Sequence, residues 1–173
     1  MKKTSIVLML LINGIIITPA FSADGTLTFN AKVYESACEI ELSQSVQLAD
    51  MPTGMLLNVN TVPGTYQDFE IELKNCPQQT PQARIKLEGT AAKGNSSAFS
   101  LDEPDAVATA KGLGLYIQGS GGRITPNQTS GNYTLDTTPG NINKLKFSAA
   151  YVVTGAVQTG TANVTTQFTV IYP

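Results

Sequence analysis

Three features of the chain predict an all-β domain. From Ala23 onward the helical period is nearly absent, short β-patterned runs recur between Gly, Pro and Asn clusters, and the residues at both extremes of that region alternate between apolar and polar. Side chains of an extended strand point alternately to opposite faces, so each such run buries one face and wets the other. Runs of this kind at short spacing mark a sandwich or a barrel.

The first 22 residues stand apart. Met1-Lys2-Lys3 is a positive n-region, Ile6 to Ile17 an apolar run broken by Asn13 and Gly14, and Ala20-Phe21-Ser22 a small-x-small cleavage site. That is the pattern of a secretory signal peptide, and the run is shorter than the roughly 20 apolar residues a membrane-spanning helix needs. Residues 1–22 are therefore expected to be removed, leaving a mature chain that begins at Ala23. Without Lys2 and Lys3 that chain holds 9 basic against 13 acidic residues, a formal charge of −4. A net negative domain is a poor partner for nucleic acid or anionic membrane. The 42 % of apolar residues in 173 suffices for one core, and no repeat or linker divides the chain.

The first strand is Gly25 to Val33, where Leu27, Phe29, Ala31 and Val33 alternate with Thr28, Asn30 and Lys32. Export to an oxidising compartment makes the only two cysteines past the leader, Cys38 and Cys76, a disulfide pair. A metal site or a catalytic thiol would want a histidine partner, and the chain has none. Further strands are predicted at Glu39–Leu42, at Val46–Leu48, at Phe69–Leu73 with Glu70 and Glu72 outward, and at Ala83–Leu87, with a loop at Asp50–Gly54. Between Gly89 and Lys111 the pattern fades, and the alanines between Pro104 and Ala110 predict a helical turn. Gly114–Ile117 resumes as strand and Gly119–Gly122 as a turn needing positive φ. A short strand is expected at Tyr133, then two strong runs, Leu145–Val153 and Val164–Tyr172, separated by a turn region at Gly155 and Gly160.

Sites of chemistry are few. General acid–base catalysis most often uses histidine; Glu70 and Glu72 share a solvated strand face, as do Glu39 and Glu41. Asp102, Glu103 and Asp105 form the densest acidic cluster, but they lack the spacing of an EF-hand and read as a surface loop. Gly119–Arg123 lacks the Gly-Lys-Ser/Thr ending of a phosphate loop. Tyr151 lies in an alternating apolar strand and reads as core. No catalytic residue, metal or cofactor is expected.

The chain resembles the subunits of chaperone-usher pili, the type 1 fimbrial pilins of Gram-negative bacteria, over essentially its whole mature length. Gly25-Thr26-Leu27-Thr28-Phe29 leads to Cys38, and Phe69-Glu70-Ile71-Glu72-Leu73 leads to Cys76. Phe147-Ser148-Ala149-Ala150-Tyr151 is followed by Thr154-Gly155, and the chain ends Phe168-Thr169-Val170-Ile171-Tyr172-Pro173. Tyr172 matches the family's penultimate tyrosine and Gly160 its glycine fourteenth from the end. The resemblance implies an incomplete immunoglobulin-like sandwich lacking its last strand, with one disulfide. It implies residues 23–37 as an N-terminal donor-strand extension and residues 38–173 as the pilin domain. Leu27, Phe29, Ala31 and Val33 would insert into a neighbour, and Gly160, Phe168, Val170 and Tyr172 would belong to the receiving groove, the chaperone-binding C-terminal strand. The position of Ala31 is usually glycine in such extensions, so alanine adds a methyl where the groove is narrow. The implied partners are neighbouring subunits in a head-to-tail polymer, a periplasmic chaperone and an outer-membrane usher. The implied location is the bacterial cell surface, reached through the periplasm, where the pilus supports adhesion. A carbohydrate-binding adhesin or adaptor at the pilus tip is the alternative, although tip adhesins typically carry a separate receptor-binding domain for which this chain has no room. A small secreted hydrolase is disfavoured by the missing histidine.

Overall fold

The computed structural model describes residues 37–40, 45–56 and 58–173. Among these residues ten strands follow one another: β1 (Glu39–Ile40), β2 (Gln67–Lys74), β3 (Gln82–Glu88), β4 (Ala91–Ala92), β5 (Asn95–Ser100), β6 (Lys111–Gly119), β7 (Gly122–Ile124), β8 (Tyr133–Thr134), β9 (Ile142–Gln158) and β10 (Gln167–Ile171). The large sheet runs β1-β2-β9-β6-β5-β4, with β7 on β6, and the small sheet runs β10-β3-β8. Every ladder between named strands is antiparallel.

The two sheets face each other across one main core, as alternation demands. Ile71 and Leu73 of β2, Leu115 and Ile117 of β6 and Leu145 and Phe147 of β9 meet Ala83, Ile85 and Leu87 of β3. The intervening β2 residues stay outside, where Lys144 pairs with Glu70 at 2.9 Å and with Glu72 at 3.3 Å. The fold is thus a β-sandwich, with Cys38 and Cys76 joined as a disulfide. The rear of the large sheet has a second, smaller apolar layer. Ala92, Ala98, Tyr116 and Val152 lie there under Val62 and Tyr66. The covering loop is pinned by Asn60 N–H donating to the Val153 carbonyl at 2.7 Å and Val153 N–H to that of Thr61 at 3.1 Å.

Five expectations need correction. No helix forms at 104–110: the segment makes i→i+3 turns, Ala106 N–H to the Glu103 carbonyl and Thr109 N–H to that of Ala106, at 3.0 and 3.2 Å. Pro104 has no N–H to give, and Glu103 sits at φ 45°, outside the helical region. Two strands, β4 and β5, lie where the pattern faded: their buried positions Ala92 and Ala98 are small, and the buried Phe99 follows Ala98 directly, so no apolar alternation marks them. Gly155 is within β9, not in a turn. It faces the Gly112 bulge of β6, where a Cβ on Gly112 would lie 2.4 Å from the Ala156 carbonyl oxygen. Val46–Leu48 has no ladder partner among the described residues. Residues 162–166 are likewise off the ladder, and β10 begins only at Gln167 because β3 ends at Glu88, its partner.

Candidate functional site: the edge beside the last strand

The feature that stands out is β10. Its ladder pairs Phe168 with Leu87 and Val170 with Ile85, so these side chains share the core-facing side of the small sheet. Leu87 is 4 % exposed and Ile85 fully buried. Phe168 and Val170 are only half-buried, although they pack against the same core. Upstream the pattern continues, with Ala162, Val164 and Thr166 half-buried and the residues between them exposed. Among the described residues β10 pairs with β3 alone, and its other edge has no partner. Such an edge presents a row of unmade N–H and C=O groups beside a strip of apolar surface. Ile40 and Leu48, also half-buried on the main core, belong to the apolar rim of that core.

Both ends of the edge are fixed. At the C-terminal end the Tyr172 hydroxyl accepts the Cys38 N–H at 3.0 Å, joining the last strand to the disulfide. At the other end Gly160 lies flat on the backbone of 108–110. A Cβ there would stand 2.4 Å from Ala110 N and 2.6 Å from the Ala108 carbonyl oxygen, so the position admits only glycine without a shift of main chain. Between them Tyr151 donates its hydroxyl to the Ala162 carbonyl. Burial pushes the Tyr151 phenol up, and the Asp50 charge adds to this, so the ring stays neutral and a donor.

The structure therefore places Gly160, Phe168, Val170 and Tyr172 along one edge. Leu27, Phe29, Ala31 and Val33 lie outside the described residues. Two contributors escaped the sequence reading. Asp102, expected in a plain surface loop, binds Thr165. The other is a property of the whole C-terminal region: the 27 residues from Phe147 to Pro173 include no charged side chain. Natural edge strands are usually protected by charge, proline or shortness. A count of charges along the chain would have singled this edge out.

Solved structures share this β-sandwich fold. A chaperone-usher pilus structure matches with TM-score 0.64 and 20 % identity over 87 % of this chain and 96 % of that one. The P pilus rod subunit PapA matches with TM-score 0.63 and 20 % identity, over 80 % of this chain and all of that one. The chain belongs to the fimbrial protein family, whose model, described as "Fimbrial protein", matches residues 27–173. The fimbrial subunit ElfA of Escherichia coli strain K12 is 31 % identical over 86 % of this chain and 84 % of its own. The molecule is accordingly a structural subunit of a bacterial surface pilus.

Proposed function

We propose that the subunit polymerises by donating residues 25–33 to a neighbour and accepting the same segment from another copy beside β10. On this reading residues 1–22 are a removed leader, residues 23–37 the extension and residues 38–173 the accepting domain. Leu27, Phe29, Ala31 and Val33 insert, Phe168 and Val170 line the groove, and Gly160 and Tyr172 hold its two ends. A periplasmic chaperone covers the edge first and the extension of the next subunit replaces it at the outer-membrane usher. No catalytic role is assigned to any residue.

The observation that carries the reading is the unpaired, uncharged edge of β10 with its half-buried apolar stripe. The energetics favour a strand over isolated side chains. Fully burying Leu27, Phe29 and Val33 contributes roughly 5–9 kcal/mol. Ordering eight residues costs about 8–16 kcal/mol of backbone entropy. Main-chain hydrogen bonds at roughly 0.5–1.5 kcal/mol each supply the balance, and strand addition makes them along its whole length. Donor and acceptor are different surfaces, so contacts run head to tail and give an open filament where rotation does not close a ring.

Deleting residues 23–33 tests this. The shortened chain should still bind its chaperone and accept a donor strand, but, with none to give, should fail to join a preceding subunit and so should not extend a filament. Normal filaments by electron microscopy would overturn the reading.

A further inference from the structure

Residues 160–165 form the approach to β10, but β3 does not reach them: its register ends with Glu88 opposite Gln167. The 102–111 segment takes the place of the missing sheet neighbour. Asp102 receives the Thr165 N–H on Oδ1 at 2.9 Å and the Thr165 hydroxyl on Oδ2 at 2.8 Å. Its own N–H donates to the Asn163 carbonyl at 2.8 Å. Three hydrogen bonds thereby tie two residues, Asn163 and Thr165, to one. Further along, Ala110 N–H donates to the Thr161 carbonyl at 2.9 Å and Thr161 N–H to that of Ala108 at 2.8 Å, in a local parallel bridge, with Gly160 packed on the same backbone. Lys111 closes the segment on itself through the Ala106 carbonyl, at 2.8 Å. Between these ties sits Val164, half-buried and packed against both the main core and the cluster of Leu56, Leu101, Ala110, Leu113 and Val153.

We propose that Asp102 is a positioning residue for strand acceptance, holding residues 161–165 so that the end of the groove around Val164 is formed before a donor arrives. The proposal rests on the donor-strand reading. A carboxylate is the fitting group because it accepts two bonds at once, and charge-assisted bonds are stronger than neutral ones. Every named ladder in the molecule is antiparallel, and a donor joining β10 in the same sense runs from the Tyr172 end toward the 161–165 end. Its last inserting residue, Val33, then lies at the Asp102 end, and Leu27 lies far from it.

That polarity gives the test. The purified exported chain is mixed with fluorescent peptides of residues 23–35 or 23–31, and capture is followed by anisotropy. Asp102→Ala should slow capture of the longer peptide by about tenfold or more, the loss expected when a charge-assisted bond is removed. The shorter peptide ends before Val33 and should be captured by parent and variant within about twofold of each other, since it does not call on that end. Thr165→Val, which keeps the N–H bond to Asp102 and loses only the hydroxyl bond, should show a smaller slowing with the same dependence on peptide length, and serves if the alanine variant does not fold. Equal capture of the longer peptide by parent and variants, or equal slowing with both peptides, would overturn the positioning role while leaving the donor-strand reading intact. Failure of the parent to capture either peptide would instead overturn the donor-strand reading, and the role of Asp102 with it.

Discussion

Strands β3 and β10 lie side by side in one sheet and present apolar residues to one core, yet they end in different states. The inward residues of β3 are sealed, with Ala83 and Ile85 fully buried and Leu87 4 % exposed, because the strand has β10 on one side and, on the other, β8 beside Ala83 and the 127–130 segment beside Ile85 and Leu87. The inward residues of β10 are of similar kind and remain half-buried, because the described residues supply a neighbour on one side only. Burial is therefore set here by the number of strand neighbours more than by hydrophobicity. A second neighbour for β10 is what strand donation would bring.

The comparison can be broken by substitution. Ile85→Ala should cost about 2–5 kcal/mol in urea unfolding, the usual range for emptying a sealed core position. Its effect should be the same with and without bound donor peptide. Val170→Ala should cost less in the donor-free chain, since part of that surface is already wet, and more once residues 23–35 are bound; a constant cost would deny that the edge becomes sealed. Gly160→Ala should destabilise by roughly 1–3 kcal/mol, the range for overpacking, because its methyl meets main chain that cannot swing aside. Tyr172→Phe removes the acceptor of the Cys38 N–H and should cost about 1 kcal/mol by thermal or urea unfolding.

The smallest effect is expected on the outer face of the large sheet. Lys144, then Lys74, holds the Glu72 carboxyl below its ordinary value, and Glu70, then Glu72, raises Lys144. A carboxylate with a depressed folded-state pKa contributes stability above its unfolded pKa and loses it as pH falls through the depressed value. Lys144→Met should therefore flatten the acid side of a melting-temperature profile slightly and leave neutral pH almost unchanged, as exposed pairs contribute little. A large loss at neutral pH would show that the face matters more to folding than its exposure implies.

Much of this arrangement was legible in the sequence because it depends on period two. Phe69–Leu73 and Ala83–Leu87 announce themselves by alternation and appear within β2 and β3, and the predicted strand Gly114–Ile117 appears within β6. What was hidden depends on contacts between distant segments. Ala92 and Ala98 look featureless until Tyr116, Val152 and the covering loop are placed over them. Gly155 looks like a turn residue until Gly112 is seen opposite. Asp102 looks solvated until Thr165, 63 residues away, is brought to it. The resemblance gave Gly160 and Tyr172 their places in a family pattern, and the packing supplies their physical reasons: crowding by the 108–110 backbone for one, the Cys38 N–H for the other.

Among the described residues the large sheet ends in β1 and β4, two residues each, while β10 offers five residues with one side unpaired. Short termini give an incoming chain little to register against. On the donor-strand proposal each unit has one docking side and one extension, a valence of two, so growth by this route would yield threads that lengthen without branching and stop wherever a unit lacks either half.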